Sequence, residues 1–325
     1  MLPKFSHLRP GTIREALAVL EGNDALIHGG GTDLIGCLRD RVFSTDTLVS
    51  LTAIADLRGI EPTKDGGLRI GAMTTIAEIA ENTDVRQRYG AFADAAMVVA
   101  SPQLRNQGTI GGNLCQKPRC WYYRGDFDCL RKGGEICYAY EGENQHHCIF
   151  GGDMCYIVHP SDTAPALAAL GAVCRISGPS ATRSVPVESL HVPPAVDPQR
   201  ETVLEADEVI TDIVLPAPPP GLRSSYRKVR DRASWDFALA GVALALIFDG
   251  ETVASARVFL SGAAPIPWRA KAVESVITGA KLDAATIADA AEATVSGAEP
   301  LSENGYKVEL FKGLMAEQLG ELVNT

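Results

Sequence analysis

The sequence lacks an excess of positive charge. Among its 325 residues, 30 Lys and Arg are set against 40 Asp and Glu, which gives a formal net charge of -10. Because a nucleic-acid partner requires a basic face, this balance disfavours nucleic acid as a ligand. The sequence also lacks an apolar run of the roughly 18 residues that a membrane span requires. No secretory signal core follows Met1, so we expect synthesis for the cytoplasm.

Several common motifs are missing as well. The sequence contains no C-x-x-C pair, which argues against a thioredoxin-type motif and lowers the expectation of a zinc ribbon. It contains neither G-x-G-x-x-G nor a lysine-bearing phosphate loop, so a standard NAD fold and an NTPase are disfavoured. No internal repeat is visible.

What is present is typical of a soluble globular protein with both helices and strands, an ordinary α/β sequence, with 46% hydrophobic residues and enough length for two cores. The stiff proline-rich stretch 216–221 predicts a boundary between domains 1–215 and 222–325. Apolar patterns predict helices that begin at Thr75, Ser161 and Asp283 and a last helix lined by Phe311 to Leu322. The predicted strands are Ala25–His28, Thr47–Leu51, Leu68–Gly71, Tyr156–His159, Val173–Ser177, Glu208–Leu215, and a hairpin of Phe237–Phe248 with Val253–Leu260.

Two glycine-rich turns stand out, at Gly29–Asp33 and at Gln107–Asn113. Glycine lets the backbone turn tightly and bring its N–H groups close to a ligand, which suits a pyrophosphate. Either turn alone is more typical of an ordinary tight turn than of a ligand site. Two of them in one predicted domain raise a large dinucleotide, held along its phosphates, to an equally good explanation.

Six of the eight cysteines fall between Arg105 and Asp162, a stretch that is also rich in glycine. Reducing conditions make such a group more typical of metal binding than of disulfides. Iron–sulfur clusters accept four thiolates from a loop at wide spacings, as found here. Nearby cations could offset the cluster's charge: Lys117, Arg119, Arg124, Arg131 and Lys132. His146 and His147 are expected to face solvent, and Cys37 and Cys174 to be buried thiols.

Four segments together resemble one known family. They are the first glycine turn, Gln107–Asn113, His159–Asp162 and Tyr306–Leu310, and they look like the FAD-binding subunit of xanthine dehydrogenase-type molybdenum hydroxylases. The resemblance covers essentially the whole chain. The segment Asn113–Tyr122 is similar to the subset that carries an extra 4Fe–4S cluster, most of all to the FAD subunit of periplasmic aldehyde oxidoreductases.

The resemblance implies an α+β fold, with a two-lobed FAD-binding domain followed by a C-terminal antiparallel sheet with a helical bundle. It implies FAD and a 4Fe–4S cluster in an insert at about 115–155. The implied partners are a small subunit with two 2Fe–2S clusters and a large molybdopterin subunit, with electrons passing through the 2Fe–2S centres to FAD and an external acceptor. Export to the periplasm would then depend on a partner's signal.

The same resemblance assigns site residues by position. For FAD they are Ile27, His28, Gly29, Gly30, Gly31, Thr32, Asp33, Leu34, Thr109, Gly111, Gly112, Asn113, Asp162, Ile210 and Lys228. Lys228 is expected near the isoalloxazine, and Ile210 as an apolar contact. For the cluster they are Cys120, Cys129, Cys137 and Cys155. The family has a shorter spacing before its fourth ligand, so Cys148 stays an alternative to Cys155, and Cys115 is least favoured.

No residue has the pattern of an acid–base catalyst of the substrate reaction. Three other functions stay open at this point. They are the β subunit of a hydroxybenzoyl-CoA-reductase-type enzyme, a zinc-binding module without redox activity, and a stand-alone FAD oxidase. The substrate and the electron acceptor are not encoded in any motif of this chain.

Overall fold

The computed structural model describes residues 2–323, which form a mixed α and β structure with three sheets. The helices in that range are α1 Ile13–Leu20, α2 Leu34–Arg39, α3 Ile76–Glu81, α4 Thr83–Arg88, α5 Gly90–Val98, α6 Pro102–Arg105, α7 Ile110–Leu114, α8 Trp121–Arg124, α9 Thr163–Ala169, α10 Lys271–Ile277, α11 Ala284–Ala293 and α12 Tyr306–Val323. The strands are β1 Ser6–Leu8, β2 Ala25–His28, β3 Thr47–Ser50, β4 Ile60–Pro62, β5 Leu68–Gly71, β6 Val173–Ser177, β7 Thr182–Pro186, β8 Val209–Leu215, β9 Leu222–Val229, β10 Ala240–Asp249, β11 Thr252–Ser261 and β12 Trp268–Arg269.

The first sheet is parallel, in the order β1-β3-β2. Parallel neighbours require a crossover connection, and α2 lies in the crossover from β2 to β3. The sheet buries Val49 with Ala16 and Leu20 of α1 in a small core. This arrangement confirms the strand–helix unit expected at the N-terminus and places the first glycine turn at the end of β2.

The second sheet is antiparallel, in the order β4-β5-β8-β6-β7. It packs on α3, α5 and α9 in a core that includes Phe92, Ile176 and Ile213. A capping box of Thr75 and Glu78 begins α3, as the sequence predicts. β8 lies in the middle of this sheet, which explains why five of its seven residues are buried.

The third sheet is antiparallel, in the order β12-β11-β10-β9, and both of its faces are covered. Ala243 and Ala245 of β10 join the core of the second sheet. Their alternates Leu244 and Leu246 join the core formed with α10, α11 and α12. Successive residues of a strand point to opposite faces, so a strand buried on both sides has the continuous apolar run seen here.

The C-terminal helices form as predicted. Asp283 accepts a hydrogen bond from the Thr286 backbone N–H at 2.8 Å and caps α11. The residues expected to line α12 are all buried: Phe311, Leu314, Met315, Leu319 and Leu322. The mixed fold class, with a C-terminal antiparallel sheet and helices, is therefore confirmed.

One predicted strand does not form, and one strand that does form was not predicted. Tyr156–His159 forms no strand, although Ile157 and His159 are buried. Instead, its backbone makes isolated hydrogen bonds to two different segments. Tyr156 O accepts a hydrogen bond from the Cys148 N–H at 3.0 Å, and the His159 N–H donates to Ala264 O at 2.9 Å. β9 was missed because its largely polar sequence has no apolar alternation.

None of the helices in residues 2–323 is both long and apolar enough to cross a bilayer.

Candidate functional site

The first glycine turn joins β2 to α2 and lies against the second glycine turn. A Cβ atom on Gly30 would come within 1.7 Å of the Gln107 carbonyl oxygen, so only glycine lets the two turns meet. Gly31 has φ +73°, a conformation that favours glycine. The close approach explains why both turns are glycine-rich.

The first turn has backbone N–H groups that are not hydrogen-bonded within the protein. Across residues 2–323, the N–H groups of Gly30, Gly31 and Thr32 donate to no protein acceptor. No side chain accepts a hydrogen bond from them either, and the adjacent Asp33 carboxylate accepts from Lys117 and Arg124 instead. Unpaired N–H groups at a tight turn can serve an anionic group of a ligand.

Most donors of the second turn are already paired within the protein. Ile110 N donates to Thr74 O at 3.0 Å, and Gly111 N donates to Ala72 O at 2.9 Å. The Gly112 N–H donates to the side chain of Thr109 at 3.3 Å. The sequence predicts diphosphate binding at both turns, and the unpaired N–H groups cluster at the first turn, whereas at the second turn the N–H of Thr109 is unpaired among donors that hold the turn in place.

Both turns line one cavity of about 230 Å³. All the FAD candidates of the two turns border it except His28 and Asn113, and Ile210 borders it as well. His28 lies beneath the turn, with its Nδ1 unpartnered and burial lowering its pKa. Phe43, Gln116 and Lys117 also border this cavity, and the sequence did not assign them to the FAD site.

Two further clefts continue from this cavity. The middle cleft, of about 380 Å³, shares Thr32 and Thr109 with it and adds Asn113 and Asp162. The third, of about 420 Å³, shares Asp162 and Phe237 with the middle cleft and reaches Cys120. The FAD candidates other than His28 and Lys228 therefore border one groove, formed by three adjoining cavities, of the size that ligand sites have.

Asp33 attaches the cysteine segment to the first glycine turn. Its carboxylate accepts hydrogen bonds from the Lys117 backbone N–H and from Arg124, both at 2.7 Å. It also lies 2.9 Å from the guanidinium of Arg119. With three insert partners, Asp33 holds the insert in place besides lining the cavity.

Asn113 connects the second turn to the segment before α9. Its Oδ1 accepts hydrogen bonds from Ser161 Oγ at 2.5 Å and Thr163 Oγ1 at 2.6 Å. Asn113 and Ser161 belong to motifs that the sequence singles out, and Thr163 directly follows the second of these motifs. Their mutual bonds fix Asp162 beside the middle cleft.

Asp162 and Lys228 form a buried ion pair of 2.7 Å. Their side chains are 5% and 1% exposed, so the pair is removed from water. Tyr226 donates a hydrogen bond to Asp162 at 2.8 Å, and burial first, then the carboxylate, raises the Tyr226 pKa well above its usual value. Asp162 borders the groove, whereas Lys228 lies behind it and is not part of the lining.

Four cysteines border a separate small cavity: Cys120, Cys129, Cys137 and Cys155. These are the four that the family resemblance assigns as cluster ligands. Cys148 and Cys115 do not border it, and burial raises the pKa of each thiol to about 12. Cys37 and Cys174 are buried, as expected.

Cys137 and Cys155 influence each other's protonation. The neighbouring thiol of Cys155 lowers the pKa of Cys137, which favours the Cys137 thiolate, whereas the pKa of Cys155 is raised. All eight cysteines are free. Residues 2–323 contain no group of three or more His, Cys, Asp or Glu side chains that could hold a single metal ion.

The cations expected to offset a cluster's charge are largely paired with carboxylates. Arg119 and Arg124 lie on Asp33, and Lys117 and Arg131 lie on Glu201. Arg131 is 2% exposed at its side chain and also donates to the carbonyls of 198 and 200. Their main contribution here is to attach the insert to its surroundings.

The expectation for the two adjacent histidines was half wrong. His146 is exposed, but His147 is buried and its Nε2 lies 3.3 Å from Cys120 Sγ. Burial, with Lys307 nearby, lowers the pKa of His147 to about 4. His147 borders both the third cleft and the cysteine cavity, as does Cys120. These two residues form the partition between them.

The loop between β9 and β10 was missed as part of the site. Trp235 and Phe237 from this loop border the groove, and Trp235 N donates to Ala100 O at 2.9 Å. Both partners of that bond have positive φ, +56° and +43°. Such backbone at a non-glycine residue is a feature of functional sites. In the sequence, the only indication of a role for this polar loop is its two aromatic residues, Trp235 and Phe237.

Comparison with protein families gives two matches that together span nearly the whole chain. Residues 3–218 match the FAD binding domain in molybdopterin dehydrogenase. Residues 224–322 match the CO dehydrogenase flavoprotein C-terminal domain.

Individual relatives align over their full length. The aldehyde oxidoreductase FAD-binding subunit PaoB of Escherichia coli (strain K12) is 36% identical over 323 residues, 98% of each chain. The carbon monoxide dehydrogenase medium chain of Hydrogenophaga pseudoflava is 28% identical, over 98% of this chain and 94% of that one. A solved structure of carbon monoxide dehydrogenase from Hydrogenophaga pseudoflava superposes with a TM-score of 0.79 at 26% identity, over 99% of this chain and 98% of that chain.

Proposed function

The chain belongs to the family of FAD-binding subunits of molybdenum hydroxylases and is an oxidoreductase subunit. We propose that it is the FAD and 4Fe–4S electron-transfer subunit of a heterotrimeric aldehyde oxidoreductase. Its proposed partners are a small 2Fe–2S subunit and a large molybdopterin subunit. In such a complex, aldehyde would be oxidised at the molybdenum of the large subunit, and electrons would pass through the 2Fe–2S centres to FAD and an external acceptor. The 36% identity to an aldehyde oxidoreductase subunit favours this substrate class.

The two bound groups supply the redox chemistry, and this chain positions them. The free N–H groups of Gly30, Gly31 and Thr32 are proposed to hold the FAD diphosphate. Thr109 and Asn113 shape the groove beyond it, and the groove supports an extended ligand because it continues past Asp162. The flavin residues proposed are those assigned above, with His28 and Lys228 acting from behind the lining.

For the cluster, we propose Cys120, Cys129, Cys137 and Cys155 as ligands. The single observation that supports this set is that these four, and no other cysteine, border one cavity. Thiolates are the ligands of such clusters, and the low pKa of Cys137 favours that form. The ligands lie in the insert of about 115–155, within a proposed FAD domain 1–215 that precedes a C-terminal domain 222–325.

The test is oxygen-free purification of the chain with its two partners, followed by absorbance and by iron and zinc analysis. Cys137→Ala and Cys155→Ala should each remove about four irons per complex, the content of one 4Fe–4S cluster. Cys148→Ala and Cys115→Ala are the matched controls and should keep full iron. FAD content is measured in parallel.

Loss of iron in Cys148→Ala but not in Cys155→Ala would exchange the fourth ligand. Zinc without the additional iron would replace the cluster by a zinc site. Complexes that lack flavin bands in every preparation would contradict the FAD assignment itself.

A further inference from the structure

His147 is a buried side chain in direct contact with one of the cysteines that border the small cavity. The residue is 3% exposed, and its Nε2 lies 3.3 Å from the Cys120 sulfur, which is within hydrogen-bond distance for a nitrogen and a sulfur. The function proposed above makes this sulfur a thiolate ligand of the cluster and leaves His147 without a role. A donor in this position acts on the negative charge that the sulfur carries.

The two ring nitrogens of His147 have different surroundings, and this difference fixes the position of the proton. Nδ1 is buried and has no hydrogen-bond partner among residues 2–323. With the proton on Nδ1, that donor would be unpaired, at a cost of about 1–3 kcal/mol, and the Nε2 lone pair would face a negatively charged sulfur. A thiolate has no proton to donate. Nε2 is therefore the donor, and the Cys120 sulfur is the acceptor.

The backbone of His147 is held from both sides. Asn304, which is fully buried, donates from its Nδ2 to the His147 carbonyl at 3.1 Å. The His147 N–H donates to Asn144 O at 2.9 Å. Asn144 is bound in turn to Glu303 by two hydrogen bonds, of 2.8 and 2.9 Å. The segment before α12 thus fixes both peptide groups of His147, and the imidazole is held toward Cys120 in advance of any ligand.

The other nitrogen-bearing side chain of the small cavity's wall is Arg131, and its donors are used elsewhere. Its guanidinium lies 3.0 Å from the Glu201 carboxylate and donates to the carbonyls of 198 and 200. The charge of Arg131 is thereby balanced by Glu201. Within residues 2–323, His147 is thus the wall residue whose side-chain nitrogen is directed at one of the four sulfurs.

A hydrogen bond to a ligand sulfur acts more strongly on the reduced state of an iron–sulfur cluster than on its oxidised state. Reduction adds one negative charge, which the thiolate ligands share, and an N–H dipole directed at a sulfur stabilises that charge. Burial strengthens the interaction, because little water is present to screen it. Such a donor therefore raises the reduction potential.

We propose that the Nε2–H of His147 donates a hydrogen bond to the Cys120 thiolate and thereby raises the reduction potential of the proposed 4Fe–4S cluster. His147 acts through a ligand and not on the cluster itself, so it is a positioning residue. The inference rests on the function proposed above and goes beyond it, because it names the residue that sets how readily the cluster accepts an electron.

The experiment uses the co-purified complex, kept free of oxygen, with iron and FAD measured first. The reduction potential is titrated by EPR, and the signal that Cys137→Ala removes identifies the cluster of this chain. His147→Leu removes the donor, whereas His147→Gln places an amide N–H near the position of Nε2. His147→Leu should lower the equilibrium constant for reduction about three- to tenfold, a fall of about 30 to 60 mV for one electron. His147→Gln should keep a potential close to that of the wild type.

His146→Leu is the matched control. His146 is the adjacent histidine and is exposed, so its loss should leave the potential of the cluster unchanged. The 2Fe–2S centres of the small subunit are an internal reference, and their potentials should be equal in all four proteins.

The other outcomes separate the inference from the function on which it rests. An iron-replete His147→Leu complex with the wild-type potential overturns the inference alone, and so does an equal fall in His147→Gln and His147→Leu. Loss of the four irons from both variants also overturns it, because His147 would then shape the cavity and not the potential. Iron kept only in His147→Gln, at the wild-type potential, still assigns the role to the donor. A wild-type complex without the four additional irons overturns the proposed cluster, and the inference with it.

Discussion

Two histidines lie side by side in the interior, with ring centroids 4.1 Å apart. His191 Nε2 lies 3.0 Å from Leu114 O, and no acceptor pairs its Nδ1. Burial lowers the pKa of His191 to about 4, and burial, with His191 contributing, lowers the pKa of His159 well below its usual value. Both rings are therefore neutral in the folded protein, and adding a proton to either one costs free energy.

This pair predicts an acid-sensitive fold. The unfolded histidine has a pKa of about 6.5. Between that value and about 4 the unfolded state binds more protons, so the free energy of unfolding falls as the pH falls. His191 alone should account for about 3 kcal/mol of that fall, since one pKa unit is about 1.4 kcal/mol.

Denaturant unfolding at pH 7 and pH 4.5 checks this. In His191→Gln the difference between the two values should shrink, because glutamine has no proton to gain. His146→Gln, at an exposed position, is the control and should keep the full difference. An unchanged pH dependence in His191→Gln would contradict the assignment.

At the scale of elements, the close packing of two turns shapes the ligand groove. Gly30 meets the carbonyl of Gln107, and the Cβ that an alanine would add lies 1.7 Å from that oxygen. The obstacle is backbone on both sides, so no side-chain rotation relieves it. One turn has to move, and the free donors at Gly31 and Thr32 move with it.

Gly30→Ala should therefore reduce FAD content at least tenfold and lower the melting temperature, with a cost of about 1–3 kcal/mol for overpacking. Gly36→Ala is the control in the same region. A Cβ on Gly36 meets nothing within 4 Å, and alanine is the better helix former in α2. Thermal unfolding and flavin absorbance measure both effects. Normal FAD content in Gly30→Ala would show that the turns separate without loss of the site.

At the scale of the whole molecule, one buried ion pair joins the two predicted domains. Asp162 precedes α9 and Lys228 lies on β9, and the pair is almost inaccessible to water. Tyr226, also on β9, adds a hydrogen bond to the same carboxylate. The region that carries the turns and the C-terminal sheet are thus held together beside the groove.

Lys228→Met should cost about 3–5 kcal/mol, because it leaves the carboxylate buried and unpaired. The double variant Asp162→Asn, Lys228→Met should recover part of that loss, since both charges are gone. Lys281→Met is the control, as Lys281 pairs with Glu251 at the exposed surface and should change stability little. Urea unfolding compares the four proteins, and equal losses in the single and double variants would refute the coupling.

Much of the fold follows from local patterns. The alternation and length of the apolar runs predict β10, β11 and the last helix, because burial of those faces requires such patterns. The sequence alone also determined the glycine turns, the family and the four cysteines now found around one cavity. It did not predict β9, whose polar residues gain their place only by pairing with β10.

Only the tertiary structure decided how these parts combine. It distinguished a first turn with several unpaired N–H groups from a second turn whose N–H groups are mostly paired, because that pairing depends on Ala72 and Thr74, which are distant in the chain. It paired the insert's cations with Asp33 and Glu201, and it buried His147 against Cys120. Local sequence sets which residues can form a helix, a strand or a turn, but contacts between segments far apart in the chain decide which polar groups remain for a ligand.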